Sequence, residues 1–564
     1  MIEVWAPRAA RVDLVVGDRR HCLERPDEQG WHRADVDLPP GTDYGFSLDG
    51  GPVRADPRSP WQPDGSARPS RAIDHDAFTW TDQRWRGRSL AGSVLYELHI
   101  GTFTEEGTFD AAIARLDALV ELGVTTIELM PVAEFAGRRG WGYDAVLLYA
   151  PHHAYGGPNG LKRLVDTAHA RGLAVLLDVV YNHFGPADCY LDEFGPYVHD
   201  AHHTSWGAAV NLDGPGSDAV RRFVIENALG WLRHYHLDGL RLDAIDALID
   251  TSATHVLTQL AHEAHALSAD VHRPLVLVAE TATNDPQISS PIEAGGLGLD
   301  GQWSDDFHHS LHTVLTSERD GYYADFGERT HLRDAVAAIH VYDGRWSTHH
   351  QRRHGHPVPT DAARSRFIVC SQNHDQIGNR ARGDRLLHLT DIARAKLAAL
   401  LTLTQACTPL LFQGEEWGAS TPFPFFADFT GDLADAVREG RRAEFAAFGW
   451  RPEDVPDPIA VETFRSAVLR WSERDEATHG KLLDWYRTLL RLRRELPALS
   501  SSATTAHLEG TLLVIERGDD VVIAANLGPS SAQIVPPVDH RVLLSDGWSS
   551  PTLAPWGTAL FQTS

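Results

Sequence analysis

A (β/α)8 barrel with an all-β segment on either side is the fold class this sequence predicts. Strand-like and helix-like runs alternate from about residue 86 to residue 500. Eight apolar strand-like runs fall in that span, and several of them stop at acidic, His or Arg residues. Alternation of this kind predicts a parallel sheet wrapped by helices, and functional groups at strand ends favour the closed form.

Residues 1 to about 62 read as short strands. Val12–Val16 and Tyr44–Leu48 are separated by Gly, Pro and Asp turns, the pattern of a small β-sandwich. The Pro- and Asp-rich stretch Asp56–Pro69 reads as a linker. The alternating part begins with a strand at Leu95–Ile100. Phe109, Ile113, Leu116, Leu119 and Val120 then recur at helical spacing until Gly123 ends the run. Thr126–Met130 is the second strand; Leu161, Leu164, Val165 and Ala168 line a helix ending at Gly172; and Leu173–Val180 is the third. Val220, Val224, Ala228, Leu232 and Tyr235 mark a helix before the strand at Leu240. Further strands are expected at Leu275–Ala279, Gln302–Phe307, Phe367–Ser371 and Leu410–Gln413. At the carboxyl end, Leu512–Ile515 and Val521–Ala525 flank Gly518-Asp519-Asp520, a hairpin signal. The expected division is 1–85, 86–500 and 501–564.

A doubly wound sheet is the competing architecture. It carries a Gly-rich phosphate loop after its first strand, whereas this chain runs into Gly101-Thr102-Phe103-Thr104. The segment Phe184–Gly216 is longer than an ordinary connection and rich in Gly, Pro, His and aromatics, so it is expected to form a wall beside the pocket.

At 564 residues, two to four domains are the prior. A net charge of -26 excludes general binding to nucleic acid or anionic membranes, which needs a basic face. Cys22, Cys189, Cys370 and Cys407 form no CxxC pair and read as reduced thiols. The amino terminus has no signal-peptide pattern, and no apolar run reaches the roughly 18–20 residues of a membrane helix. A cytoplasmic protein is expected.

Four stretches carry the chemistry: Asp178–His183, Gly239–Ala244, Leu277–Glu280 and Gln372–Gln376. Strand alternation puts Arg241 and Asp243 on one face, with Leu240 and Leu242 turned to the helix layer. A guanidinium beside Asp243 favours an ionised carboxylate, as a nucleophile at a sugar carbon requires. The alternative for the pair is a buried ion pair that only tightens the barrel. Glu280 follows the apolar run Leu275–Ala279, so its carboxyl is partly desolvated and suited to giving a proton to a leaving oxygen. Asp375, with His374 and Gln376 beside it, belongs to a dense set of hydroxyl-binding groups, and His183 ends the third strand. Metal binding is the rival for a chain with 31 His. The pairs His152-His153, His202-His203, His308-His309 and His349-His350 match no familiar zinc spacing, and adjacent His residues diverge on a strand. No metal and no cofactor is expected, calcium at Asn182 included. Trp206, Trp303, Trp417 and Trp141-Gly142-Tyr143 lie near strand ends or loops, where flat rings suit an oligosaccharide groove.

Together and in their order the four stretches resemble the α-amylase superfamily, glycoside hydrolase family 13, over nearly the whole chain. The resemblance implies a retaining mechanism with Asp243 as nucleophile, Glu280 as acid/base and Asp375 as transition-state stabiliser. It implies substrate contacts at Arg241, His183 and His374, and a stacking platform at Tyr143. It also implies an amino-terminal β-sandwich like that of branching and debranching relatives. Gly301–His309, whose Asp305 and Asp306 are expected to contact substrate, resembles one subgroup, as do Asn284–Pro286, Gly321–Phe326 and Gly414–Phe423. Members of that subgroup hydrolyse the α-1,4 bond next to a terminal trehalose unit. The substrate class implied is a trehalose-ended α-glucan, and a functional partner is the enzyme that forms that end. Asp246 departs from the family pattern, where His often follows the nucleophile. A glycogen branching enzyme, a debranching isoamylase and a non-catalytic glucan-binding protein on the same fold are the alternatives; Gln302–His309 favours trehalose release over the first two, and the carboxyl triad opposes the third.

Overall fold

The computed structural model describes residues 2–447, 450–500 and 503–563. Eight parallel strands close a barrel in chain order: β1 (Leu95–Leu98), β2 (Thr126–Leu129), β3 (Ala174–Val179), β4 (Gly239–Leu242), β5 (Val276–Ala279), β6 (Gly301–Trp303), β7 (Phe367–Cys370) and β8 (Thr408–Phe412). β8 pairs back onto β1 through Leu410↔Leu95 and Phe412↔Glu97, which leaves no open edge. Leu95, Leu176, Val276, Val278, Ile368, Cys370 and Leu410 fill the interior. Leu240 and Leu242 point outward into the apolar layer shared with the helices, as alternation requires.

Three local expectations need correction. β6 stops at Trp303, because Asp305 and Asp306 open a helix, Asp305–Thr316, in place of the strand expected to reach Phe307. Acidic residues in a first turn face unpaired N–H groups and the positive helix end. The helical run after β1 is broken into Phe109–Ile113 and Leu116–Leu122; Gly123, at φ 105°, then caps it by donating to the carbonyls of Leu119 and Val120. The stretch 56–69 is no free linker: Ser59 and Gln62 are buried, and Asp56 accepts from Tyr44 at 2.8 Å.

The amino-terminal strands form two antiparallel sheets, Ile2–Trp5 with Trp31–Ala34, and Val12–Val16 between Arg19–Cys22 and Asp43–Leu48. The carboxyl-terminal sheet contains the expected hairpin, Leu512–Arg517 against Val521–Asn526, with Thr552–Thr563 on the far side. The long segment after β3 contains its own hairpin, Val198–Thr204 with Gly207–Val210, and Trp206 lies at its tip.

At the floor of the barrel, Asp238 sits one residue before β4 and accepts from Trp85, Arg273, the Val175 N–H and His169 at 2.7–2.9 Å. His169 reaches Asp82 with its other nitrogen at 2.8 Å, and His236 shares that carboxylate. Burial would lower the His169 pKa, but the bonds to Asp238 and Asp82 raise it. Burial would raise that of Asp82, but the two His hold it well below the carboxylate range. A depressed Asp stabilises above its unfolded pKa of about 3.9, and a raised His stabilises below its own of about 6.5. Asp82→Asn is therefore expected to cost about 2 kcal/mol near pH 5.5. The deficit should shrink as pH falls through the Asp82 titration or rises through that of folded His169. Urea midpoints at pH 5.5 and 9 check this; an equal deficit at both would exclude a charged clasp.

Candidate active site

The sequence-predicted carboxyl groups converge at the carboxyl-terminal mouth of the barrel, where strand ends of (β/α)8 enzymes carry chemistry. Arg241 is the hub. Its Nη1 donates to Asp243 Oδ1 and to Asp178 Oδ2, both at 2.7 Å, and Nη2 lies 3.2 Å from Glu280 Oε2. The guanidinium stacks 4.4 Å from the Trp303 ring centre and is fully buried.

Asp243, just past β4, has its other oxygen held by Asn182 Nδ2 at 2.8 Å. Both oxygens accept from donors, an arrangement that suits a carboxylate. Ala244 turns the chain at φ 39° and donates its N–H to Glu280 Oε2 at 2.6 Å. Glu280 is 26% exposed, and burial lifts its carboxyl above the ordinary range against the pull of Arg241. Asp375 stands on the short helix His374–Gly378, capped by Asn373, and is 34% exposed. Burial raises its pKa too, with His374 opposing.

Two cavities share Glu280. One, of about 340 Å³, is lined by Asp305, His309, Tyr342, Asp375 and Gln376. The other, of about 680 Å³, is lined by Trp206, Ala244, Asp246 and Thr281. Trp206 is 54% exposed and stacks on His183, ring centres 5.1 Å apart and 11° from parallel. His183 bonds Asn182 through Nδ1, and burial lowers its pKa to about 4. Asp246 accepts from the Thr281 hydroxyl at 2.7 Å and the Ala282 N–H at 2.8 Å, tying the β4 loop to the β5 loop.

Some predicted contacts are engaged differently. Asp306 borders the first cavity, but its Oδ2 accepts from Asn284 Nδ2 and the N–H groups of Val341 and Tyr342 at 2.6–2.8 Å. It braces two loops, while Asp305, with its pKa lifted to about 7 by burial, faces the space. Tyr143 stacks on His374 with centres 5.2 Å apart, and its hydroxyl donates to Asp178 at 2.7 Å. His374 is 1% exposed, with both ring nitrogens already bonded inside the protein.

Four residues at the site had no assigned part: Glu97, Glu128, Asp178 and Asn182. Each is a polar group within or just after an apolar strand, at the parity that faces the barrel interior. That parity was the available signal. The expectation that adjacent His diverge fails at His152-His153. His152 caps a single 3-10 turn, and the ligand atoms of the two fall within 4.8 Å of each other and of Glu134. His153 is hydrogen-bonded to Glu134 at 2.8 Å, His152 Nδ1 accepts from the Ala154 N–H, and the trio lines neither cavity above.

Residues 72–204 match the family model of the alpha amylase catalytic domain. Malto-oligosyltrehalose trehalohydrolase of Arthrobacter ramosus is 49% identical over 499 residues, 88% of this chain and 87% of the relative. The enzyme of that name from Mycobacterium tuberculosis (strain CDC 1551 / Oshkosh) is 44% identical over 568 residues, 99% of this chain and 97% of its own. The chain belongs to the malto-oligosyltrehalose trehalohydrolases of the α-amylase family. A Salmonella typhimurium protein solved at 1.4 Å matches the whole of this chain, with TM-score 0.92, 39% identity and 97% of that protein's chain covered. A Bacillus subtilis type I pullulanase, at TM-score 0.72 and 19% identity, shares the fold. The branching enzyme of Vibrio cholerae aligns over 54% of this chain and 48% of its own length at 33% identity, a weaker and partial likeness.

Proposed function

We propose that this trehalohydrolase cleaves the α-1,4-glucosidic bond next to the terminal trehalose of maltooligosyltrehalose, with retention, through Asp243, Glu280 and Asp375. The observation that carries the reading is the single guanidinium of Arg241, which touches both Asp243 and Glu280. Retention needs the two carboxyl groups to flank the scissile bond about 5–5.5 Å apart, and a shared cation keeps both within reach of one glycosidic bond.

Glu280 Oε2 is taken by the Ala244 N–H and Arg241, so its proton rides on Oε1 and passes to the glycosidic oxygen. Asp243, held as an acceptor-only carboxylate, attacks the anomeric carbon, and the C–O bond to the trehalose end breaks. Glu280, now ionised, takes a proton from water, which displaces Asp243 and restores the configuration. Asp375 opposes the positive charge on the ring between the two steps. Trp206, backed by the His183 ring stacked against it, offers an aromatic wall in the larger cavity, while Asp305 and Gln376 offer hydrogen bonds in the smaller.

The substrate class implies a partner enzyme that builds the trehalose end. All four cysteines are unpaired, which supports a reducing, cytoplasmic setting. Among the described residues no helix is long and apolar enough to cross a membrane. Incubation with maltotriosyltrehalose should release free trehalose with maltotriose, whereas amylose should give no new α-1,6 branches. Branches without trehalose would replace this reading with glucan transfer.

A further inference from the structure

We infer that Glu97, at the mouth of β1, is a positioning residue for this reaction: it fixes His374 as an imidazolium, and through that ring keeps Asp375 ionised. The inference rests on the glycosidase reading of Asp375.

The geometry is specific. Glu97 and His374 are each 1% exposed. Glu97 Oε1 accepts from His374 Nδ1 at 2.5 Å and Oε2 from the His374 backbone N–H at 2.9 Å, so one carboxylate sets both the ring and the start of its helix. On the other edge, His374 Nε2 lies 2.7 Å from the Tyr143 hydroxyl and 3.4 Å from Asp375 Oδ1. The Tyr143 proton is committed to Asp178 at 2.7 Å, so Tyr143 must accept from His374. Nε2 therefore carries a proton. Nδ1 also carries one, because its partner is a carboxylate. A ring protonated on both nitrogens is cationic.

The charges around it agree. His374 faces Glu97 from β1, Asp178 from β3, Arg241 from β4, Tyr143, and Asp375 on its own helix; Glu128 of β2, Glu280 of β5 and His99 stand further off. Burial and Arg241 disfavour the charged ring, but Asp375 and Glu97 outweigh them and lift its pKa to about 10. Glu128 pairs directly with Glu97 across β1 and β2, and its two oxygens have no hydrogen-bond partner. Burial and Glu97 together push its carboxyl well above the ordinary range. Both Glu97 oxygens accept from His374, so Glu97 backs the ring from behind while its other edge is turned to Asp375. Burial raises the Asp375 pKa and His374 is the largest influence lowering it. Without a cationic ring, a half-buried Asp375 takes up a proton and no longer opposes charge on the sugar.

Glu97→Gln isolates the charge from the scaffold. The amide oxygen can accept from the His374 backbone N–H while the amide NH2 donates to a bare Nδ1, so both bonds survive with a neutral ring. The expected result is an unchanged melting temperature and a lower kcat on maltotriosyltrehalose. The acid limb of kcat/KM should move up by about 1–2 pH units, so that the deficit narrows as pH rises. A bracing role alone would lower kcat without moving the limb. In the wild type, 15N-histidine NMR, with His374 assigned by difference from His374→Asn, should show a doubly protonated ring at pH 8. An unmoved acid limb in folded Glu97→Gln, or a neutral His374 ring in the wild type at pH 8, overturns the inference. The spectroscopic arm needs no substrate and no variant at position 97. It therefore decides the state of His374 even if Glu97→Gln does not fold or the product assay rejects trehalose release.

Discussion

Asp243→Asn is expected to lower kcat on maltotriosyltrehalose by about 10⁴-fold or more while leaving the barrel folded. The amide matches the carboxylate in shape, so the bond to the Arg241 guanidinium at one oxygen can persist. The contact with Asn182 then brings two NH2 groups together, and the Asn182 amide can rotate so that its oxygen accepts from the new one. What disappears is the negative charge that attacks the anomeric carbon. A circular dichroism melt beside single-turnover kinetics separates these effects: the melt should stay near the wild-type value and the glycosyl-enzyme should not form. Turnover near wild type would remove Asp243 from the reaction.

The second large effect concerns stability. Arg241→Met should destabilise the protein by about 3–5 kcal/mol near pH 7.5, because Asp178, Asp243 and Glu280 lose their shared cation in a closed interior. Methionine preserves much of the stem's packing against Trp303, which makes the loss chiefly electrostatic. Burial already lifts Asp178 to about 7 and raises Glu280, so both take up protons readily once Arg241 is gone. The deficit should therefore contract as pH falls towards 5. Denaturant midpoints at the two pH values test this; a variant as stable as wild type at pH 7.5 would show that Arg241 is no electrostatic hub.

The barrel was legible because its strands are short apolar runs punctuated by Gly-capped helices, and that periodicity is local. The triad was legible for the same reason: Asp243 and Glu280 follow strand runs immediately, and Asp375 follows its own within five residues, where a polar side chain has few structural uses. Glu97, Asp178 and Asn182 were harder to see because their partners come from other strands. Glu97 meets His374 across 277 positions, and no spacing rule reaches that far. The early stop of β6 depended on Asp305 preferring a helix start to a strand end. The Phe184–Gly216 wall concealed a hairpin because Val198–Thr204 is almost entirely polar and carries no apolar alternation. The convergence of His152 and His153 followed from a single turn at the end of a strand.

The floor clasp and the catalytic hub lie on one strand. Asp238, which knots β4 to the segment before the barrel, is three residues from Arg241 and five from Asp243. At about 3.3 Å per residue the two knots are roughly 10–16 Å apart along a nearly straight backbone. β4 thus behaves as a short tie-rod fastened at both ends. A one-residue slip would turn Arg241 and Asp243 out towards the helices and bring leucines into the mouth. Because Asp238 blocks that slip at the other end, the alignment of the nucleophile is guarded from the opposite side of the molecule.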